Sequence, residues 1–214
     1  MKSAHAKHHD SVETRAAILK AAEQIYAESG LAGARTDAIA AAAGVNKALL
    51  YYYFKSKEGL YQAVIGSQLR EFGRQVEKVL TAKGPAGPIL LRYVSYHIDF
   101  IGTHPYYPRI FQRMMMEGDR TLGRIVREHS MPLMKLLVAL LERGIKSGEF
   151  RRLDPEHALV SIAGLTGHYF NIAPAIRAIT GQDPFSKYNL GRRRAEVLNF
   201  IRYALFRNPE AVEL

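Results

Sequence analysis

Two hundred and fourteen residues and 24.0 kDa, 48% apolar and 23% charged, have the composition of a globular protein with one large domain or two small ones. Thirty Lys and Arg against 20 Asp and Glu give a formal net charge of +10, which favours an anionic partner such as nucleic acid, a membrane surface or an acidic ligand without choosing among them. The absence of Cys excludes disulfides, Cys-ligated zinc, iron–sulfur clusters and thiol nucleophiles; apolar runs such as Ala38–Val45 fall far short of the ~20 residues of a membrane span, and the N-terminus lacks the apolar core of a signal peptide, so a cytoplasmic protein without membrane contact is expected.

Helical periodicity holds almost throughout. From Asp10, Val12, Ala16, Leu19, Ala22 and Tyr26 recur at steps of three and four, Asp10 and Glu13 have capping-box spacing, and Gly30 is a natural stop. Residues 1–10 are expected to be a flexible arm; His5, His8 and His9 with Asp10 could hold a divalent ion there, but disorder is the simpler expectation. A short alanine-rich helix is predicted from Thr36 to Ala43, a second from Lys47 to Tyr53, and a longer one that Ser56 caps and Glu58 supports, running to Thr81. Lys83 to Pro88 is a break. Ile89–Thr103 is helical and aromatic, and His104–Pro108 interrupts it. Leu133, Leu136, Leu137, Leu140 and Gly144 form the next stripe, ending at Gly148. Asp154-Pro155-Glu156 starts a helix that Pro174 should end, and a last helix spans Arg192–Phe206. Without strand alternation or an internal repeat, the prediction is an all-α fold of roughly nine helices.

Two short helices joined through Gly44-Val45-Asn46 form a helix-turn-helix pattern. Gly44 can take the positive φ of a tight turn, Ala40 and Ala43 allow close approach, and Ile39, Val45 and Leu50 supply apolar contact. Asn46 is a good N-cap for the second helix. Ala48, Leu49, Tyr51, Tyr52 and Tyr53 cannot all face a core, because successive residues turn by ~100°. A DNA major groove would use such a surface: Ala and Leu against thymine methyls, Tyr hydroxyls on phosphates, and Lys47 in the first turn near base edges. Lys55 and Lys57 flank the helix, with no acid between Lys47 and Lys57. Internal packing of the tyrosines and solvated lysines is the competing reading.

These residues resemble the DNA-binding domain of TetR-family transcriptional regulators. The resemblance rests on Ile39-Ala40, Ala43-Gly44-Val45, Leu50-Tyr51-Tyr52-Tyr53-Phe54 and Ser56-Lys57-Glu58-Gly59-Leu60, supported by Ile18, Ala21-Ala22, Ile25 and Ser29-Gly30-Leu31. It implies a DNA-binding domain over residues 11–60 and a helical ligand-binding and dimerisation domain over 61–214. By this likeness Thr36 bonds a phosphate, Lys47, Ala48, Leu49, Tyr51 and Tyr53 face the groove or its walls, and Tyr52 and Lys57 meet the backbone. Arg35 stands where many members carry a hydroxyl and would substitute a charged contact. The implied protein is a homodimeric repressor, bound to a palindromic double-stranded operator and released by a small-molecule effector, with no cofactor or metal.

For the dimer surface the likeness points to the last long helices. Ala158, Ser161, Ile162 and Leu165 share a face beside the small residues Ala163, Gly164 and Gly167, and Val197, Leu198, Ile201 and Leu205 form a stripe; packing within the protomer is the alternative. Candidate pocket residues are Tyr93, Tyr96, His97, Phe100, Phe111, Met114, Met115, His168, Tyr169 and Asn171, since Met and aromatics with a few polar tips suit an adaptable apolar site; core packing is again the alternative. Common catalytic motifs are lacking. An activator or ligand-independent regulator is a second reading, and a small helical enzyme using His97 or His168 as base a third. Residues 1–60 carry 8 Lys and Arg against 6 Asp and Glu, so +8 of the +10 lies in residues 61–214, outside the segment expected on DNA.

Overall fold

The computed structural model describes residues 2–117 and 120–211, without the side chains of residues 2–10, 117 and 120–122. Among the described residues there are ten α-helices: α1 (Lys2–Gly33), α2 (Thr36–Ala42), α3 (Lys47–Phe54), α4 (Lys57–Leu80), α5 (Ala86–Thr103), α6 (Tyr107–Glu117), α7 (Arg120–Ser147), α8 (Pro155–Asn171), α9 (Ala173–Thr180) and α10 (Lys187–Leu205). The all-α prediction holds. The chain forms two compact units, residues 1–69 with 109–125, and residues 70–108 with 126–214. The division expected at residue 60 falls inside α4, and the first unit also takes in residues 109–125.

In the first unit, α1 packs on α2 and α2 on α3. Ile18, Leu19, Ala22 and Tyr26 of α1 are buried, as are Ile39, Leu50, Phe54, Leu60 and Val64. The N-terminal half of the expected stripe is corrected: Val12 is exposed, and helical backbone begins at Lys2, so Asp10 lies within α1 rather than at its start. Residues 2–10, expected as a flexible arm, have helical backbone, and their side chains, the histidines included, lie outside the described residues. Gly30 interrupts α1 as expected, at φ 66 and ψ −177.

The core of the second unit gathers Leu90, Leu91, Val94 and Ile98 of α5, Leu137 and Leu141 of α7, Leu159 and Ile162 of α8, and Val197, Leu198 and Ile201 of α10. α5 packs on both α8 and α10. The open N-terminus of α5 is closed by the Glu149 carboxylate, which accepts from the N–H groups of Ala86 (3.1 Å) and Gly87 (2.8 Å). Three expected boundaries move for local reasons. Pro132 sits inside α7, so that helix runs on both sides of it. Pro174 opens α9 in its first turn, where a missing N–H costs nothing. Ser186 starts α10 ahead of Arg192 by accepting from the Asn189 N–H at 3.3 Å. No single described helix is long and apolar enough to cross a membrane.

Candidate nucleic-acid interface

The turn between α2 and α3 is built as the sequence requires. Gly44 takes φ +67 and its N–H donates to the Ala41 carbonyl at 3.1 Å; the Val45 N–H donates to Ala40 at 3.0 Å. Asn46 caps α3, its Oδ1 accepting from the Leu49 N–H at 2.8 Å. Leu50 and Phe54 turn inward, which orients the rest of α3 outward. Lys47, Ala48, Tyr51 and Tyr52 are exposed, Leu49 and Tyr53 half-buried. Tyr52 is 68% exposed, with Tyr53 edge-on to it at 5.2 Å and the Lys55 ammonium 5.6 Å from its ring centre. An eight-residue helix thus presents a methyl, phenols and ammonium groups to its surroundings. Such a face can contact thymine methyls and phosphates.

Each lysine of this surface has a partner within the fold. Lys47 Nζ lies 2.9 Å from the Asp37 carboxylate, tying the first turn of α3 to the first turn of α2. That bond holds the Asp37 carboxyl below, and the Lys47 ammonium above, their ordinary pKa values. Lys55 donates to the Tyr52 carbonyl at 3.0 Å. Lys57 donates to the carbonyls of Ala32 and Ala34, both at 3.1 Å, at the end of α1. The Lys57 carbonyl in turn accepts from the Tyr26 hydroxyl at 2.8 Å, and the Tyr26 and Tyr61 rings meet edge-on at 4.8 Å. A clasp of three bonds therefore fixes the start of α4 against α1.

Between α3 and α4 the chain makes a three-residue turn centred on Lys55, at φ 67 and ψ −43, closed by the Ser56 N–H on the Phe54 carbonyl at 2.8 Å. This φ-positive γ-turn is a rare, strained conformation. Ser56 then caps α4 by accepting from the Gly59 N–H at 3.0 Å. A Cβ on Gly59 would lie 2.2 Å from the Phe54 carbonyl oxygen, so only glycine fits. Arg35 is exposed at the N-cap of α2, while Thr36 is 8% exposed and packed inward. Asp37 as the partner of Lys47, and Tyr26 as that of the Lys57 backbone, are additions to the residues the sequence singled out.

Of the ten candidate pocket residues, Tyr93, Tyr96, His97 and Phe100 come together on α5 in the second unit. Phe72, Tyr107 and Thr166, which sequence spacing did not single out, join them. Phe111, Met114 and Met115 belong to the first unit, with Met114 buried in it and Met115 62% exposed. His168 and Asn171 are exposed on α8. Tyr169 is held by the Pro184 carbonyl and the Arg193 guanidinium.

Most residues of the expected dimer stripes face inward in the protomer. Ala158, Ile162, Val197, Leu198 and Ile201 are buried in the protomer's own core, and Leu165 and Leu205 pack against that core. Ser161 is exposed and donates to the His157 carbonyl at 3.0 Å. The large apolar residues left outside are Val160 on α8 and Tyr188, Phe200 and Tyr203 on α10. Both helices are apolar on two sides, and the inward side is the one the periodicity found.

The sequence pattern of bacterial regulatory proteins of the tetR family matches residues 18–64, and that of the YcdC-like protein, C-terminal region, matches residues 67–207. The HTH-type transcriptional regulator RutR of Escherichia coli K12 is 32% identical over 165 residues, 77% of each chain. The HTH-type transcriptional repressor NicS of Pseudomonas putida is 26% identical over 191 residues, 88% of each chain. In fold, the ketosteroid regulator KstR2 of Mycobacterium tuberculosis superposes with a TM-score of 0.76 at 19% identity, covering 90% of this chain and 95% of its own. With the two family patterns together covering residues 18–64 and 67–207, and a relative this similar over most of its length, the chain belongs to the TetR family of bacterial transcriptional regulators.

Proposed function

We propose that the protein is a homodimeric repressor whose two α3 helices enter successive major grooves of a palindromic operator, and that a small molecule held in the second unit releases it. The observation that carries this reading is the exposed face of α3, held outward by the Gly44 turn and the Asn46 cap. Lys47, Ala48, Leu49, Tyr51 and Tyr53 read or line the groove; Arg35, Tyr52, Lys55 and Lys57 meet phosphates. Two-fold symmetry sets the recognition helices ~34 Å apart. The outward residues Val160, Phe200 and Tyr203 are the apolar surface on which a second copy packs. NicS is a transcriptional repressor, which supports this sign of regulation. The enzyme reading loses ground at His97, whose hydrogen-bond partner is a threonine hydroxyl rather than a carboxylate.

The test is genomic binding-site mapping followed by titration of the recovered fragment. A palindromic site bound with a steep inverse salt dependence is the expected result. Binding without sequence preference, or indifferent to salt, overturns the reading. Phe200→Asp should yield a monomer by light scattering and abolish operator binding; a persistent dimer moves the interface elsewhere.

A further inference from the structure

On α5, His97 Nε2 and the Tyr93 hydroxyl have no hydrogen-bond partner among the described residues. Nδ1 of His97 lies 3.0 Å from Thr166 Oγ1, which lies 2.9 Å from the Ile162 carbonyl one turn back. A threonine hydroxyl has one proton, and within a helix it is given to that carbonyl. Towards His97 the hydroxyl therefore accepts, so the ring proton sits on Nδ1 and Nε2 is an open lone pair. Burial pushes the imidazole down to about 4, so the ring is neutral at neutral pH. Yet His97 keeps part of its surface accessible. One helical turn away, the Tyr93 hydroxyl makes no hydrogen bond among the described residues, and burial lifts it to about 12, so it stays a donor.

The surroundings are rings. Phe72 lies 5.0 Å from the imidazole, Tyr93 5.8 Å, and Tyr96, Phe100 and Tyr107 extend the cluster. The shifts of His97 and Tyr93 are due to burial alone, with no charged side chain contributing. The nearby Glu71 carboxylate is engaged by His104 at 3.4 Å. Neither atom is sealed from solvent, so each can exchange water for a ligand group. A carboxylate brought here would lose its water with no cation acting at His97 or Tyr93 to offset the loss.

We propose that this site takes an uncharged planar ring compound, which donates a hydrogen bond to His97 Nε2, accepts one from the Tyr93 hydroxyl and stacks among Phe72, Tyr96 and Phe100. The assignment rests on the reading of the second unit as the effector domain and names the chemistry of that effector.

Calorimetry on the full-length protein tests it with 2-pyridone, which carries a ring N–H beside a carbonyl, phenol, 2-methoxypyridine, which has no donor, and picolinate, which adds a carboxylate. 2-Pyridone and phenol should bind, with 2-methoxypyridine and picolinate at least tenfold weaker. Tyr93→Phe should weaken 2-pyridone about tenfold, and Thr166→Val, which removes the group that fixes the tautomer, by a similar factor. His97→Phe should abolish binding and His97→Gln, which keeps an acceptor, should restore part of it; thermal melts report whether each variant is folded. Tighter binding of picolinate, affinity unchanged in folded Tyr93→Phe and His97→Phe, or no binding of either donor-bearing ring, overturns the proposal. Operator titration without ligand is the separate control. Its failure removes the repressor reading and leaves the ring site standing, whereas ring binding that does not release DNA leaves the site but removes its effector role.

Discussion

Replacing Asp37 with Asn should make DNA binding tighter and more salt-sensitive. In the free protein Lys47 lies 2.9 Å from one Asp37 oxygen and 3.2 Å from the other, so the first cation of α3 is already neutralised. Both side chains are about half exposed, at 47% for Lys47 and 60% for Asp37. Solvent screening leaves such a pair little weight in folding, and the melting temperature should hardly move. On DNA, a phosphate must compete with Asp37 for Lys47, and Asp37 itself repels the backbone. Asn removes both effects and frees one cation in each of two recognition helices. Each phosphate newly neutralised steepens the slope of log affinity against log salt by about 0.9, so the dimer gains roughly 1.8. Between 50 and 200 mM salt the variant should lose about twelvefold more affinity than the wild type. Fluorescence anisotropy on one operator fragment at four salt concentrations measures this directly. An unchanged slope, or weaker binding at the lowest salt, would refute the idea that Asp37 holds back a DNA-contacting charge.

Lys57→Met should weaken every DNA site alike and also lower the melting temperature by about 2–8 °C, since the donors to Ala32 and Ala34 carry roughly 1–2 kcal/mol; lost affinity without lost stability, in calorimetric melts, would make it a phosphate contact alone. Gly59→Ala should destabilise the protein by about 3 kcal/mol or more in urea titration, because the Phe54 oxygen that its Cβ would meet belongs to the backbone and has no easy escape; a neutral effect would mean the turn relaxes freely. For His97 the folded-state value of about 4 lies below the ordinary value near 6.5, so its contribution to stability is intact above pH 6.5 and declines as pH falls. The loss should reach about 3 kcal/mol at pH 4 and be absent in His97→Gln, as read from urea midpoints across pH.

The helix-turn-helix was legible because its determinants are local. Gly44, Asn46 and Ser56 each act within four residues, and each takes the backbone role its chemistry suggests. The Lys57 clasp was not legible, since Tyr26 reaches its acceptor across 31 residues and a lysine on a carbonyl leaves no mark in the sequence. On α10 periodicity found Val197, Leu198 and Ile201 but could not tell inward from outward, because Phe200 and Tyr203 make the opposite side apolar too. The ring cluster was half visible: Tyr93, Tyr96, His97 and Phe100 share one helix, whereas Phe72, Tyr107 and Thr166 arrive from elsewhere in the chain.

Lys55 has an evolutionary reading beyond its contacts. Among the described residues it is the single non-glycine with positive φ. A glycine would occupy that γ-turn without the steric penalty of a Cβ. The cation at the end of the recognition helix is thus held at a cost to fold stability. Lys55→Gly is therefore the substitution in which a more robust protein and a poorer regulator should coincide, and a laboratory selection for thermal resistance alone should arrive at it.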